Sequence, residues 1–102
     1  FPFFRGRLLE LPITIPDDLA IRCLHGDDAA AIAGVQTAKL AWIKTRNGLA
    51  LSLTHPERWI SLTKHSFDAY RTLVETIAQD ATAWTALPRD VESWWRTRHG
   101  ML

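Results

Sequence analysis

Gly48-Leu49-Ala50-Leu51-Ser52-Leu53-Thr54-His55-Pro56 is the stretch on which the reading of this 102-residue chain turns. It reads as a short apolar strand over residues 49–54, with His55 at its carboxyl end and Pro56, which lacks an amide donor, stopping the ladder. In α/β enzymes the side chains at the carboxyl ends of strands point into the site. His55 is therefore the first candidate for chemistry. The competing reading is a structural or surface histidine at a strand–loop junction.

Working outward, Leu8 to Ile15 reads as an earlier strand, because Leu9, Leu11, Ile13 and Ile15 share one face at a period of two. Pro12 places that strand at an edge or a bulge. Pro16-Asp17-Asp18 closes it with a turn, and residues 19–24 fit either a short strand or a helical turn. A helix follows, capped by Asp27 or Asp28, with Ile32, Val35, Lys39, Trp42 and Ile43 on its apolar stripe. Asn47-Gly48 ends it with residues that tolerate left-handed backbone. Strand, helix, strand is the layout of a right-handed parallel unit. A second helix is expected over 66–79, with Phe67, Tyr70, Val74 and Ile77 as its stripe and Leu73 beside it. A third starts at Pro88 and stops at Gly100. The expectation is an α/β fold with short parallel strands and three helices.

Composition narrows the function. Twelve Lys and Arg balance eleven Asp and Glu, so no global field recruits nucleic acid or an anionic membrane. Hydrophobic residues make up 47% of the chain, enough for one modest core at this length. Cys23, the single cysteine, excludes an intrachain disulfide framework and a cysteine-built zinc site. No apolar run approaches the ~20 residues of a membrane span. The compartment stays open between the cytoplasm and a bacterial envelope. Phe1-Pro2-Phe3-Phe4 opens the chain with three aromatics in four residues. It reads as a segment that packs against preceding sequence, so the chain is expected to be truncated at its amino end.

Asp17 and Asp18 are the carboxylates expected near His55, since both would lie at carboxyl ends of neighbouring parallel strands. A carboxylate on one ring nitrogen holds the imidazole tautomer and raises its basicity. The alternative is a plain turn after Pro16. His25, His55, His65 and His99 form no metal-ligand spacing, and no phosphate loop or serine elbow is present. Among the five tryptophans, Trp59 follows His55 closely in the chain and is the candidate substrate-binding residue. Trp42 is expected in the core, and Trp94 or Trp95 as a clamp on the last helix.

Three segments together, Leu8 to Asp18, Leu51-Ser52-Leu53-Thr54-His55-Pro56, and Trp84 to Val91 with Trp94-Trp95-Arg96, resemble the carboxyl-terminal part of bacterial polysaccharide deacetylase-like proteins with a NodB-homology domain. The resemblance implies that residues 1–102 are one segment, the last third of a distorted (β/α) barrel. It implies that a divalent metal, usually zinc, is bound in a part of the domain that precedes this chain. His55, in Leu53-Thr54-His55, would act as acid toward the leaving amine, and Asp17 or Asp18 would orient it. Leu19 stands where the family often has Trp, and Pro56 where it often has Asp. The implied activity is hydrolysis of acetyl groups from amino sugars, and the isolated chain is expected to be inactive. The implied partners are a carbohydrate substrate and the rest of its own domain, or a second copy. The alternative function is a non-catalytic carbohydrate-binding or protein-interaction module.

Overall fold

The computed structural model describes residues 1–57 and 63–100. β1 (Phe3–Arg5) and β2 (Leu8–Glu10) form an antiparallel hairpin in which Phe4 faces Leu9. Gly6 opens its two-residue loop at φ 63, the left-handed backbone that tight hairpins require and that glycine adopts without a Cβ clash. An extended segment over 11–17 leads to α1 (Asp18–His25), and α2 (Ala29–Thr45), α3 (Lys64–Ala78) and α4 (Pro88–Arg98) follow.

This corrects the expected architecture. The described residues form four helices and a two-stranded antiparallel sheet, not a partial (β/α) barrel with parallel strands. Residues 19–24 are helical, because Asp17 caps them and Ile21 has a core to enter. Segments 8–15 and 49–54 do approach in parallel, but only through one bridge, Ile15 to Ser52. The physical reason lies in the donors. Pro12 and Pro16 have no amide hydrogen to extend a ladder, and the amides of Thr14 and Ile15 both converge on the Leu51 carbonyl, at 3.0 and 3.1 Å. The Thr14 hydroxyl replaces further rungs, donating to the Leu49 carbonyl at 2.7 Å and accepting from the Leu51 amide at 2.9 Å.

Helix boundaries follow local chemistry. Asp28 caps α2 by accepting from the amides of Ala30 and Ala31, each at 3.0 Å, which satisfies donors that the first turn leaves open. Beyond α2, Asn47 takes φ 50. Thr63 caps α3 through the Ser66 amide. Pro88 occupies the first turn of α4, and the Asp90 carboxylate accepts from the Leu87 amide.

The core lies where α2 packs on α3 and α1 on α2. One cluster joins Ile15, Ile43 and Leu73, with Leu40 and Ile77 against it. The other joins Ile21, Ile32 and Ala69, with Ala33 and Val35 against it. The expected stripes are partly displaced. Trp42 is exposed, with Lys39 Nζ over its ring at 4.6 Å and the Arg46 guanidinium at 5.1 Å. On α3 the buried side is Ser66, Ala69 and Leu73, while Phe67, Tyr70 and Val74 face outward. The α4 helix packs on the hairpin instead. The Arg96 guanidinium donates to the Arg7 carbonyl at 2.8 Å and stacks on Phe4, and Phe4 meets His99 edge-on.

The candidate acid–base site

Core packing places the two halves of the site. Ile15, buried between α2 and α3, fixes the segment that enters α1, and Ile21 anchors the first turns of α1 in the second cluster. Asp18 therefore starts a well-held helix. On the other side, the Thr14 hydroxyl and the Ile15–Ser52 bridge lock residues 49–52 beside 14–15, which delivers His55 three residues later.

His55 and Asp18 meet. The His55 Nδ1 lies 2.7 Å from Asp18 Oδ1, and the His55 backbone amide donates to Asp18 Oδ2 at 2.8 Å. An ionised carboxylate only accepts, so Nδ1 carries the hydrogen in this pair and Nε2 is the nitrogen that exchanges a proton. Asp18 Oδ1 also accepts from the Leu19 amide at 3.0 Å. The Asp18 side chain is 11% exposed and that of His55 33%. The carboxylate is thus shielded while the ring stays open to a partner.

Asp17 has a different place. Its side chain caps α1 by accepting from the Ala20 amide at 2.6 Å, and it acts on His55 only through its charge. Of the two carboxylates, the structure brings Asp18 to the imidazole. Trp59, the candidate substrate-binding residue, lies outside the described residues. Thr14, which holds the two segments together, carries no sequence signal beyond a hydroxyl between Pro12 and Pro16 in an otherwise apolar run.

The hydrogen bond from Asp18 raises the His55 pKa above its ordinary 6.5, partial burial opposes the rise, and the charges of Asp18, Asp17 and Glu57 add to it. A raised folded-state pKa means that the folded protein holds this proton to higher pH than the unfolded chain does. The stabilisation from the ion pair is complete below pH 6.5, the ordinary value, and is lost as pH rises through the raised value. NMR titration of the His55 ring is expected to give a midpoint above 6.5 in the native protein and a lower one in Asp18→Asn. The stability difference between the two proteins should shrink as pH rises through that midpoint. Equal midpoints would show that the carboxylate does not act on the ring.

Among the described residues, no group of three or more His, Cys, Asp or Glu side chains is placed to hold a metal ion. No helix among them is long and apolar enough to cross a membrane. Comparison with protein-family models, with curated proteins and with solved structures gave no match.

Proposed function

We propose that this chain carries the proton-transfer pair of a metal-dependent carbohydrate deacetylase, an enzyme that hydrolyses acetyl groups from amino sugars. The observation that supports it is the contact of His55 Nδ1 with Asp18 at 2.7 Å, between two segments that also carry the resemblance to the NodB-homology family. That support comes from the pair and its flanking motifs, not from a barrel architecture.

Amide hydrolysis must expel an amine, a poor leaving group until it is protonated. A positioned acid contributes about 10²–10⁴ in rate to such a step. In this reading the His55 imidazolium donates its Nε2 proton to the departing nitrogen. Asp18 holds the Nδ1–H, keeps the ring oriented and stabilises its charged form before the transfer. The raised pKa keeps a larger fraction of His55 protonated near neutral pH, the state an acid needs.

On the resemblance, the zinc is held outside the residues named above, and no step is drawn through it. Exposed Leu24, Phe67, Tyr70 and Val74 leave apolar surface on α1 and α3 for the rest of the same domain, or a second copy, to cover. The test is an assay of the natural protein for acetate release from N-acetylated amino-sugar oligomers, with and without added zinc. Zinc-dependent release is the expected result. Absence of release from a folded, metal-loaded protein would overturn the reading.

A further inference from the structure

A second feature shares no residue with the His55–Asp18 pair. Trp84 and Trp94 are 61% and 44% exposed, and their ring centroids lie 6.4 Å apart at an interplanar angle of 59°. They form two walls of an open groove of about 520 Å³, completed by Asp90, Ser93, Thr97 and Arg98. The groove is shallow and open, a shape suited to a ligand that lies along a surface. Large indoles left open side by side forgo the stabilisation that burial gives them.

The groove is presented by ordered backbone. In the connection from α3 to α4, the Asp80 carboxylate accepts from the Thr82 amide at 2.9 Å and the Thr82 hydroxyl at 2.6 Å, and the Asp80 carbonyl accepts from the Ala83 amide at 3.0 Å. Lys44 of α2 pairs with the same carboxylate at 2.6 Å, which ties the turn before Trp84 to the main helical core. On α4, Pro88 and the Asp90–Leu87 cap set the first turn. The Arg98 guanidinium lies 5.2 Å from the Trp94 centroid and occupies one face of that ring, so Trp84 offers the freer stacking surface.

From this arrangement we infer that the Trp84–Trp94 groove is a binding site for a neutral saccharide. A sugar ring presents a flat C–H face, suited to an indole, and a rim of hydroxyls that both donate and accept. The groove matches both demands. Asp90 supplies an acceptor, Arg98 a donor, and the Ser93 and Thr97 hydroxyls lie between them. The Thr97 hydroxyl hydrogen goes to the Ser93 carbonyl at 2.9 Å, which leaves its oxygen to accept. One carboxylate and one guanidinium cancel, which favours an uncharged ligand over a polyanion, and the net charge of +1 adds no field for phosphates. The site itself stands on this geometry; only the choice of an N-acetylated probe rests on the deacetylase reading.

The test is NMR of the indole Nε1–H signals of the native protein, titrated with a neutral tetramer of N-acetylglucosamine and separately with a proline decapeptide. Saturable shifts of the Trp84 and Trp94 signals by the tetramer, and none by the peptide, are expected. Trp84→Ala should weaken binding about tenfold, the loss of one stacked ring. Thr97→Arg, on the exposed face of α4, should block the groove without touching Trp84. Three results would each overturn the inference: no shifts at millimolar tetramer, shifts with the peptide alone, or tetramer binding that both variants leave unchanged. Shifts confined to residues around His55 would overturn it too while leaving the deacetylase reading intact, whereas groove binding without acetate release would do the reverse.

Discussion

His55→Ala in the natural protein is expected to lower the rate of acetyl hydrolysis by about 10²–10⁴, the contribution of a positioned general acid, while metal content and folding stay near normal. The ring is one-third exposed and packs into neither core cluster, so its removal leaves no large cavity. Asp18→Asn adds a sharper readout, because the amide keeps an acceptor for the His55 backbone but removes the charge that favours the imidazolium. Activity that needs protonated His55 falls as pH rises through the His55 pKa. In Asp18→Asn that fall should begin at lower pH. The measurement is the pH dependence of kcat/KM beside the metal content of each variant. If His55→Ala keeps most of its rate, the histidine is structural and the assignment fails.

Leu73→Ala should cost the most stability of any single truncation on α3. Leu73 is 2% exposed and joins α3 to Ile43 of α2 and to Ile15 of the segment that leads to Asp18. Truncating a buried leucine costs about 2–5 kcal/mol, through lost burial and the cavity left behind. A domain of this size has roughly 5–15 kcal/mol in total, so the expected fall in Tm is roughly 10–20 °C. Val74→Ala, one residue on and exposed, should change stability by no more than about 0.5 kcal/mol. Thermal unfolding of both variants compares the two faces directly. Equal losses would mean that α3 packs through Phe67, Tyr70 and Val74, as its hydrophobic pattern alone suggests. Because Ile15 shares the cluster, the Leu73 variant should also loosen the His55–Asp18 contact.

That contrast between Leu73 and Val74 illustrates how far this chain can be read in one dimension. Both positions lie on one broad apolar arc of α3. Hydrophobic spacing identifies the arc but not which edge of it meets α2; that edge carries Ala69, which clusters with Ile32, and Leu73, which clusters with Ile43. The same ambiguity misplaced Trp42, which a helical stripe assigns to the core and which the fold leaves outside beneath Lys39 and Arg46. Residues 8–15 and 49–54 have the composition of strands, yet their pairing depends on donors that Pro12 and Pro16 remove and on a carbonyl that takes two amides at once.

Local chemistry by itself determined the start of α4 at Pro88 and its halt near Gly100, and it narrowed the α2 cap to Asp27 or Asp28 and the left-handed position after α2 to Asn47 or Gly48. Each depends on a side chain or backbone preference that acts within a few residues. It also determined that His55 and the Asp17-Asp18 pair were the groups worth bringing together. Only the tertiary structure decided between the two aspartates, because adjacent residues on a helix start point in different directions. Asp17 turns to cap α1, and Asp18 turns to meet a histidine that is 37 residues away in the chain. It likewise decided that Trp84 and Trp94 stand open as a groove, since spacing says that they lie near each other and not which of their faces a neighbouring element covers.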